Sequence, residues 1–310
     1  MSPADTAAEG APFEYDVIVV GGGPAGCSAG VFTARYGLKT AVFDRGNSSL
    51  RRCAYLENYP GFPAGIDVET LYGLLHDHAE EAGCEVISDL VESVERADGT
   101  DGFVVETQEG RRVTARRVVA ATRYDGEYMR GLDDDEEMFV AHEHDGEVHE
   151  HFDRDYPERD GTTRVDGLYV ASPAPEADRQ AIMAAGRGAR VGLTLVDEVR
   201  RSEGYLDTLA DQYDWMRREA ELTGEWGTRD RWREWFDGRL PEEHSLPAER
   251  VAELREREID RKFDTYLSDD DIERRTRRGH ERLLERIDDE LVLRRAREIE
   301  SERRSAESDD

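Results

Sequence analysis

YDVIVVGGGPAGCSAGVFTARYGLKTAVFD, residues 15–44, is the stretch whose reading decides the fold. Tyr15 to Val20 is a short apolar run ending in glycines, the pattern of a strand buried on both faces. Ala25 to Tyr36 has helical spacing and good helix formers, and Lys39 to Phe43 is a second apolar run closed by Asp44. Strand, glycine turn, helix, strand makes a βαβ unit of the dinucleotide-binding kind. In Gly21-Gly22-Gly23-Pro24-Ala25-Gly26, the first glycine permits the tight turn, Gly23 lets the backbone approach a pyrophosphate, and Gly26 lets helix and strand pack closely. The helix N-terminus then offers free N–H groups and a positive dipole end to the phosphates. Gly30 and Gly37 continue the pattern of small residues. Asp44, about 20 residues on, stands where an acid accepts hydrogen bonds from both ribose hydroxyls and repels a 2′-phosphate, so NADP is not expected here. These residues alone leave FAD and NAD open.

Outward from this unit, Val68 to Ala82 reads as a helix and Cys84 to Ile87 as a strand. Val91 to Arg96, Gly102 to Thr107 and Arg111 to Val113 read as a small antiparallel meander, turning at Ala97-Asp98-Gly99 and Gln108-Glu109-Gly110. Arg117 to Ala121 and Leu168 to Ala171 read as further buried strands, with a helix from about Gln180 to Val199. The expected fold class is therefore α/β: a Rossmann-type domain with a parallel sheet and a small meander over 15–199. Residues 1–14 are expected to be a disordered tail. After Arg200 the composition turns Arg/Glu/Asp-rich with helical spacing, predicting an acidic helical extension over 200–310. There Leu206, Leu209, Tyr213, Met216 and Ala220 fall on one helical face, as do Val251 with Leu254, Phe263 with Leu267, and Leu283, Ile287 and Leu291. Ser268 before three aspartates is an expected N-cap, and Glu300 to Asp310 an expected frayed end.

Residues 15–44 followed by LENYPGFPAGIDVETL, residues 56–71, resemble the opening of the thioredoxin reductase and alkyl hydroperoxide reductase flavoproteins. TTRVDGLYVASPAPEADRQAIMAAGRGARVGL, residues 162–193, resembles that family's closing FAD segment. Together these stretches make up about a quarter of the chain. The resemblance implies FAD as the cofactor. It implies that Gly21 to Gly26 hold the pyrophosphate and that Asp44, followed by Arg45, meets the adenosine ribose. It places Asn58 beside the flavin, Val91 against adenine through its backbone, and Ala121-Thr122 at the crossover strand. Arg179-Gln180-Ala181 would begin a helix whose N-terminus points at the flavin pyrimidine edge, where it stabilises negative charge. The chain departs from the family where Arg123 replaces a glycine and Ser172-Pro173 replaces Gly-Asp, whose aspartate binds the ribityl chain. The family inserts an NADPH-binding domain with a redox-active CxxC between the two FAD blocks. Here about forty residues, the bridge 123–162, stand in its place, and no CxxC occurs.

With 72 Asp and Glu against 42 Lys and Arg the net charge is −30, which excludes nucleic acid and anionic membrane as partners by repulsion. Nearly all the cations are arginine, and such a surface suits a halophile, since in molar salt the Debye length falls to about 3 Å. No apolar run approaches a transmembrane span, the start lacks the features of a signal peptide, and Cys27, Cys53 and Cys84 form no pair, which points to a reducing cytoplasm.

MFVAHEHDGEVHEHF, residues 138–152, predicts a hairpin turning at Asp145-Gly146 with His142, His144, His149 and His151 on one face. Four imidazoles could bind zinc, nickel or copper, but a solvated hairpin explains them as well and no metal is assigned. Cys53, five residues before Asn58, is either a thiol near the flavin or a small hydrophobe, and the second reading is preferred. Cys27 and Cys84 read as packing residues, His76 and His78 as ordinary polar positions, and Trp215, Trp226, Trp232 and Trp235 as an aromatic patch. The expected activity is that of an FAD-dependent oxidoreductase supplied with electrons from outside, by a redox partner protein or a small-molecule substrate. No catalytic residue is nominated. The alternative is a non-catalytic FAD-binding module with the helical extension as its interface, through which a homodimer is also expected. A fold alone does not establish activity.

Overall fold

The computed structural model describes residues 13–99, 101–123, 126–144, 147–173 and 180–308. The chain divides into two compact units, 1–214 and 215–310, a boundary that falls beyond the change in composition at Arg200. In the first unit β1 (Tyr15–Val20), α1 (Pro24–Tyr36) and β2 (Thr40–Phe43) form the expected βαβ unit, followed by α2 (Val68–Glu81) and β3 (Glu85–Ile87). Next come β4 (Val91–Arg96), β5 (Phe103–Thr107), β6 (Arg112–Ala121), α3 (Asp135–Met138), and the hairpin β7 (Phe139–His144) and β8 (Glu147–Phe152). β9 (Leu168–Ser172), α4 (Ala181–Ser202) and the short α5 (Asp207–Ala210) complete the unit.

Local chemistry sets the boundaries of these helices. Pro24 occupies the first turn of α1, where its missing N–H costs nothing, and Gly37 ends the helix at φ 105°, its N–H bonding back to Thr33 and Ala34. The Asp67 carboxylate caps α2 by accepting from Thr70 N at 2.8 Å.

The seven-stranded sheet runs β3-β2-β1-β6-β5-β4, with β9 also on β6. β3, β2, β1, β6 and β9 are parallel, whereas β5 pairs antiparallel with both β6 and β4. The meander strand and the buried strand expected separately at 111–113 and 117–121 are one strand of ten residues. Its first half pairs with β5 and its second half pairs, along the same edge, with β9. Its opposite edge carries β1, paired from Ala115 to Ala120.

Alternation along the strands gives the sheet two apolar faces. Val17, Val19, Val42, Val119 and Tyr169 point into one, covered by Ala25 and Ala29 of α1 and Val191 and Leu195 of α4. Ile18, Phe43, Val118, Ala120 and Val170 point into the other, covered by the bridge residues Tyr128, Met129, Met138, Phe139 and Phe152.

Phe13 and Glu14, expected in the tail, are held: Phe13 lies under the Arg116 guanidinium and Glu14 N donates to Thr114. Residues 1–12 lie outside the described residues. The helical face expected from Leu206 to Ala220 does not form. The buried Arg200 guanidinium takes the carbonyl of Leu209 at 2.8 Å and the Asp197 carboxylate takes the N–H of Gln212, so these groups leave the helical ladder. Tyr213 and Met216 are exposed. In the hairpin the backbone register sets His142 opposite His149, as expected, while the Asp145-Gly146 turn and the side chains of 142–148 lie outside the described residues.

The second unit is helical, apart from the two-residue strands β10 (Arg217–Arg218) and β11 (Tyr266–Leu267). Its helices are α6 (Arg229–Asp237), α7 (Ala248–Phe263), α8 (Asp269–Leu284) and α9 (Asp289–Ser308). Trp232, Phe236, Val251, Leu254 and Ile259 are its core. Trp226, Trp235 and Phe263 meet Trp232 edge-on, but Trp215 is 67% exposed and outside the expected patch. Ser268 caps α8 in a reciprocal box with Asp271. α9 stays helical through Ser308, where fraying was expected from Glu300. No helix among the described residues is long and apolar enough to cross a membrane.

Candidate functional site

The parallel strands run outward in order from β1 through β2 to β3 on one side, and from β6 to β9 on the other. Strand order therefore reverses between β1 and β6, and ligands of such sheets bind outside the strand carboxyl ends at that reversal. A cleft of about 1210 Å³, partly open to solvent, lies there.

The glycine turn forms its floor, and three of the four glycines answer to protein neighbours. Gly21 has φ 113°, and a Cβ there would lie 2.7 Å from Ala121 O on β6. A Cβ on Gly26 would lie 1.8 Å from Gly21 O, so helix and strand could not approach. A Cβ on Gly22 would meet the Asp44 side chain at 2.5 Å, a constraint the sequence did not reveal. Gly23 differs. Only Ser48 Oγ, at 3.4 Å, comes near its missing Cβ. No side chain caps α1 at Gly23 and its first turn holds no acid, so its first-turn amides open into the cleft uncompensated.

Asp44 ends β2 at the cleft wall and is only 8% exposed. Its Oδ2 accepts from the Tyr72 hydroxyl at 2.5 Å and lies 3.4 Å from His76 Nε2, while its Oδ1 accepts from Gly46 N at 3.1 Å. A carboxylate has about four acceptor positions, so the anchored Asp44 keeps capacity for ligand hydroxyls. Burial first, and then Asp44, push the Tyr72 phenol well above its ordinary range, leaving it a permanent donor. The Gly22 carbonyl accepts from Cys27 Sγ at 3.2 Å and lies 3.0 Å from His76 Nε2. His76 is thus not an ordinary polar position: it braces the turn and the acid from behind.

The far end of the cleft is walled by Asp89, Leu90 and Val91. Burial opposes the charge of Asp89. The Thr107 hydroxyl, the amides of Leu90 and Glu109, and Arg111 outweigh it and hold the carboxyl below its ordinary range.

The structure brings Gly21, Gly22, Gly23, Pro24, Ala25, Asp44, Arg45, Val91, Ala121, Thr122, Gln180 and Ala181 around this one cleft, as the sequence reading grouped them. Gly26 stands behind it. Asn58 is not in the wall but donates to Gln180 Oε1 at 2.8 Å, tying its loop to the start of α4. Arg179 lies outside the described residues. Ser48, Ser49, Cys53 and Tyr128 also line the cleft, the last bonded to Thr122 Oγ1 at 3.1 Å. α4 is seated by contacts the sequence reading passed over. A Cβ on Gly188 would lie 1.9 Å from Ala25 O, and Arg187 donates to Ala171 O and Val170 O at the end of β9. The Gly188-x-x-x-Gly192 spacing was the available signal for that close helix crossing.

Known proteins resemble the chain in sequence and in fold. The family model of the pyridine nucleotide-disulphide oxidoreductases matches residues 15–144. Thioredoxin reductase from Aquifex aeolicus is 33% identical over 110 residues, 35% of this chain and 33% of that protein. The Bacillus subtilis thioredoxin reductase is 36% identical over 110 residues, 34% and 33% of the two chains. Over this N-terminal stretch the chain is similar to the pyridine nucleotide-disulphide oxidoreductases, thioredoxin reductases among them. A solved thioredoxin reductase from Gloeobacter violaceus shares the fold with a TM-score of 0.50 at 19% identity, covering 66% of this chain and 98% of that one.

The chain nevertheless matches only about a third of the length of those two curated relatives. Two departures from the family fall in the cleft wall itself. Ser172 is buried there at the end of β9, and Arg123, following β6, reaches Ser49 Oγ at 3.5 Å on the opposite wall.

Proposed function

We propose that this chain binds FAD in the cleft at the β1/β6 reversal and serves as a flavin-dependent oxidoreductase whose electrons come from outside the chain. The observation that carries the reading is the uncapped start of α1, which opens into the cleft behind a glycine turn whose third glycine almost nothing in the protein crowds. Such a cradle fits a diphosphate: the space a Cβ would fill is left to the ligand, and the amides face it. Asp44 would hold the adenosine ribose, with Arg45 beside it, and Val91 would meet adenine through its backbone. When bound, FAD supplies the two-electron chemistry, and the protein supplies position and field. α4 begins at the cleft without a side-chain cap on Gln180, so its positive end favours negative charge there.

An external donor is supported by what lies between the two FAD blocks. The bridge 123–162 has a two-stranded hairpin in its described part and is too short for a second βαβ unit. The three cysteines are far apart in sequence. A partner protein or a small reductant would therefore replace the NADPH domain of a self-sufficient reductase. A reducing cytoplasm suits the unpaired thiols.

The second reading, a flavin-binding module without catalysis, draws on Ser172 and Arg123, which stand in the cleft wall where the family resemblance implies an aspartate and a glycine. Purification in molar KCl and a visible spectrum separate the two. Yellow protein that bleaches with dithionite but not with NADPH supports the oxidoreductase. Colourless protein that takes up no added FAD removes both readings of the cofactor, and rapid bleaching by NADPH alone removes the external donor. Yellow protein that turns over with no donor and acceptor pair favours the module.

A further inference from the structure

Tyr72 and His76 lie one turn apart on α2, with ring centroids 4.6 Å apart, and neither belongs to the cleft wall. His76 Nε2 stands 3.0 Å from the Gly22 carbonyl oxygen and 3.4 Å from Asp44 Oδ2. A carbonyl oxygen can only accept, so Nε2 carries the proton, and the Asp44 carboxylate lies beside the same N–H. Asp44 has other donors, the Tyr72 hydroxyl and the Gly46 amide. The Gly22 carbonyl has, among the described residues, one other: the Cys27 thiol at 3.2 Å, which burial keeps protonated and which is a weak donor.

The direction of that carbonyl decides where the next amide points. The C=O of Gly22 and the N–H of Gly23 belong to one planar trans peptide and point opposite ways. His76 and Cys27 hold the carbonyl from outside the cleft wall, so the Gly23 N–H faces the cleft. Among the described residues that N–H has no hydrogen-bond partner. The backbone itself does not select this orientation. Gly23 has φ −81°, and turning the peptide over carries the angle to about 99°, which glycine adopts about as readily. The turned peptide would aim a carbonyl oxygen at the cradle, where a diphosphate needs a donor. Without the His76 N–H, the Gly22 oxygen and the Asp44 carboxylate would stand close together with no shared donor, an arrangement that turning the peptide relieves.

We infer that His76 is a positioning residue for the cofactor: its Nε2–H holds the Gly22–Gly23 peptide with the amide toward the diphosphate. The inference rests on the reading of the cleft as an FAD site and deepens it.

Two substitutions separate the N–H from the ring. His76→Phe keeps an aromatic ring beside Tyr72 and loses the donor. His76→Gln keeps a donor near the place of Nε2 and loses the ring. Each full-length protein is melted without cofactor and then titrated with FAD, followed by the quenching of flavin fluorescence. His76→Phe is expected to bind FAD at least about fivefold more weakly, the effect of one lost hydrogen bond, and His76→Gln to stay within about twofold of wild type. A ring that only packs predicts the opposite order, with His76→Gln the weaker binder. His76→Leu lacks both features, is expected to bind no better than His76→Phe, and replaces it in the comparison if the phenyl ring prevents folding. The inference is overturned, and the FAD reading left standing, if the variant without the donor binds FAD as wild type does or if His76→Gln binds as weakly as that variant. Wild type that takes up no FAD overturns both.

Discussion

Replacing Gly23 by serine should separate the ligand's demand on the glycine turn from the fold's demand. The backbone there has φ −81° and ψ −171°, which any residue adopts, and a Cβ meets only Ser48 Oγ at 3.4 Å. A serine at this N-cap position can accept an N–H from the first turn of α1, which changes helix stability relative to glycine by only a few tenths, ~0.3 kcal/mol. The apo protein should therefore melt at the wild-type temperature or slightly above it. The same hydroxyl occupies the cradle and consumes an amide that the diphosphate needs. Losing one hydrogen bond to a charged partner costs about 1.5–3 kcal/mol. At about 1.4 kcal/mol per decade, FAD affinity should fall roughly 10- to 150-fold. Gly26→Ala is the comparator, because its Cβ would lie 1.8 Å from Gly21 O. Overpacking of that kind costs about 1–3 kcal/mol. For a unit of this size the melting temperature should drop by roughly 2–12 °C. Scanning fluorimetry of the apo proteins and quenching of flavin fluorescence on titration give the two numbers. A Gly23→Ser protein that binds FAD as wild type does would put the diphosphate elsewhere, and one that melts as low as Gly26→Ala would make Gly23 a structural glycine.

Four shorter expectations follow from the same contacts. Tyr72→Phe removes the donor at 2.5 Å from Asp44. It should cost about 1.5–3 kcal/mol in thermal or denaturant unfolding, and unchanged stability would show that Asp44 does not depend on it. Asp89, whose folded carboxyl lies below its ordinary range, stabilises the fold fully above the unfolded value of about 3.9 and loses that effect as pH falls through the folded one. Asp89→Asn should therefore flatten the acid limb of melting temperature against pH, and superimposable limbs would refute the assignment. Burial pushes the Cys84 thiol up to about 12 and the Cys27 thiol higher still, while Cys53 is exposed. One thiol per chain should react quickly with a disulfide reagent near about pH 8, and Cys53→Ser should abolish that reaction. Dialysis from molar to low salt should unmask the self-repulsion of a −30 chain and reduce its circular dichroism, and an unchanged spectrum would end the halophile reading.

The βαβ unit was legible because each of its parts has a local cause: the apolar run of β1, Pro24 opening α1, Gly37 closing it, and Asp44 ending the next strand. β6 was read as two strands because its pattern changes where its neighbours change, from the antiparallel β5 to the parallel β9 on the same edge. Periodicity records which face is buried and says nothing of which strand lies alongside. The helical face expected from Leu206 onward failed for a related reason. Spacing predicted a ladder of backbone bonds, and the buried Arg200 and Asp197, on α4, claimed two of its groups. In the cleft, the residues that a motif names were found, whereas those that brace the motif were not. His76 and Tyr72 reach Asp44 from α2, some thirty residues on, a proximity that only the packing of α2 against α1 creates.

The bridge 123–162 is more than a spacer between β6 and β9. A mere spacer would be polar throughout and could be exchanged freely. Here its apolar side chains complete the sheet's second face. Tyr128, Met129, Met138, Phe139 and Phe152 share one apolar cluster with Ile18, Phe43, Val118 and Val170, and Met129 and Met138 have no exposure at all. Phe152 also stands 2.7 Å from where a Cβ of Gly126 would be, so the two ends of this segment are fitted to each other. A parallel sheet is stable only with both faces covered. With α1 and α4 on one face, the bridge is what allows this sheet to close over its other core, and the same segment delivers Tyr128 to Thr122 at the cleft wall. Cofactor site and bridge are therefore coupled through β6: what covers its inner residues also fixes the position of the carboxyl end where the cleft begins.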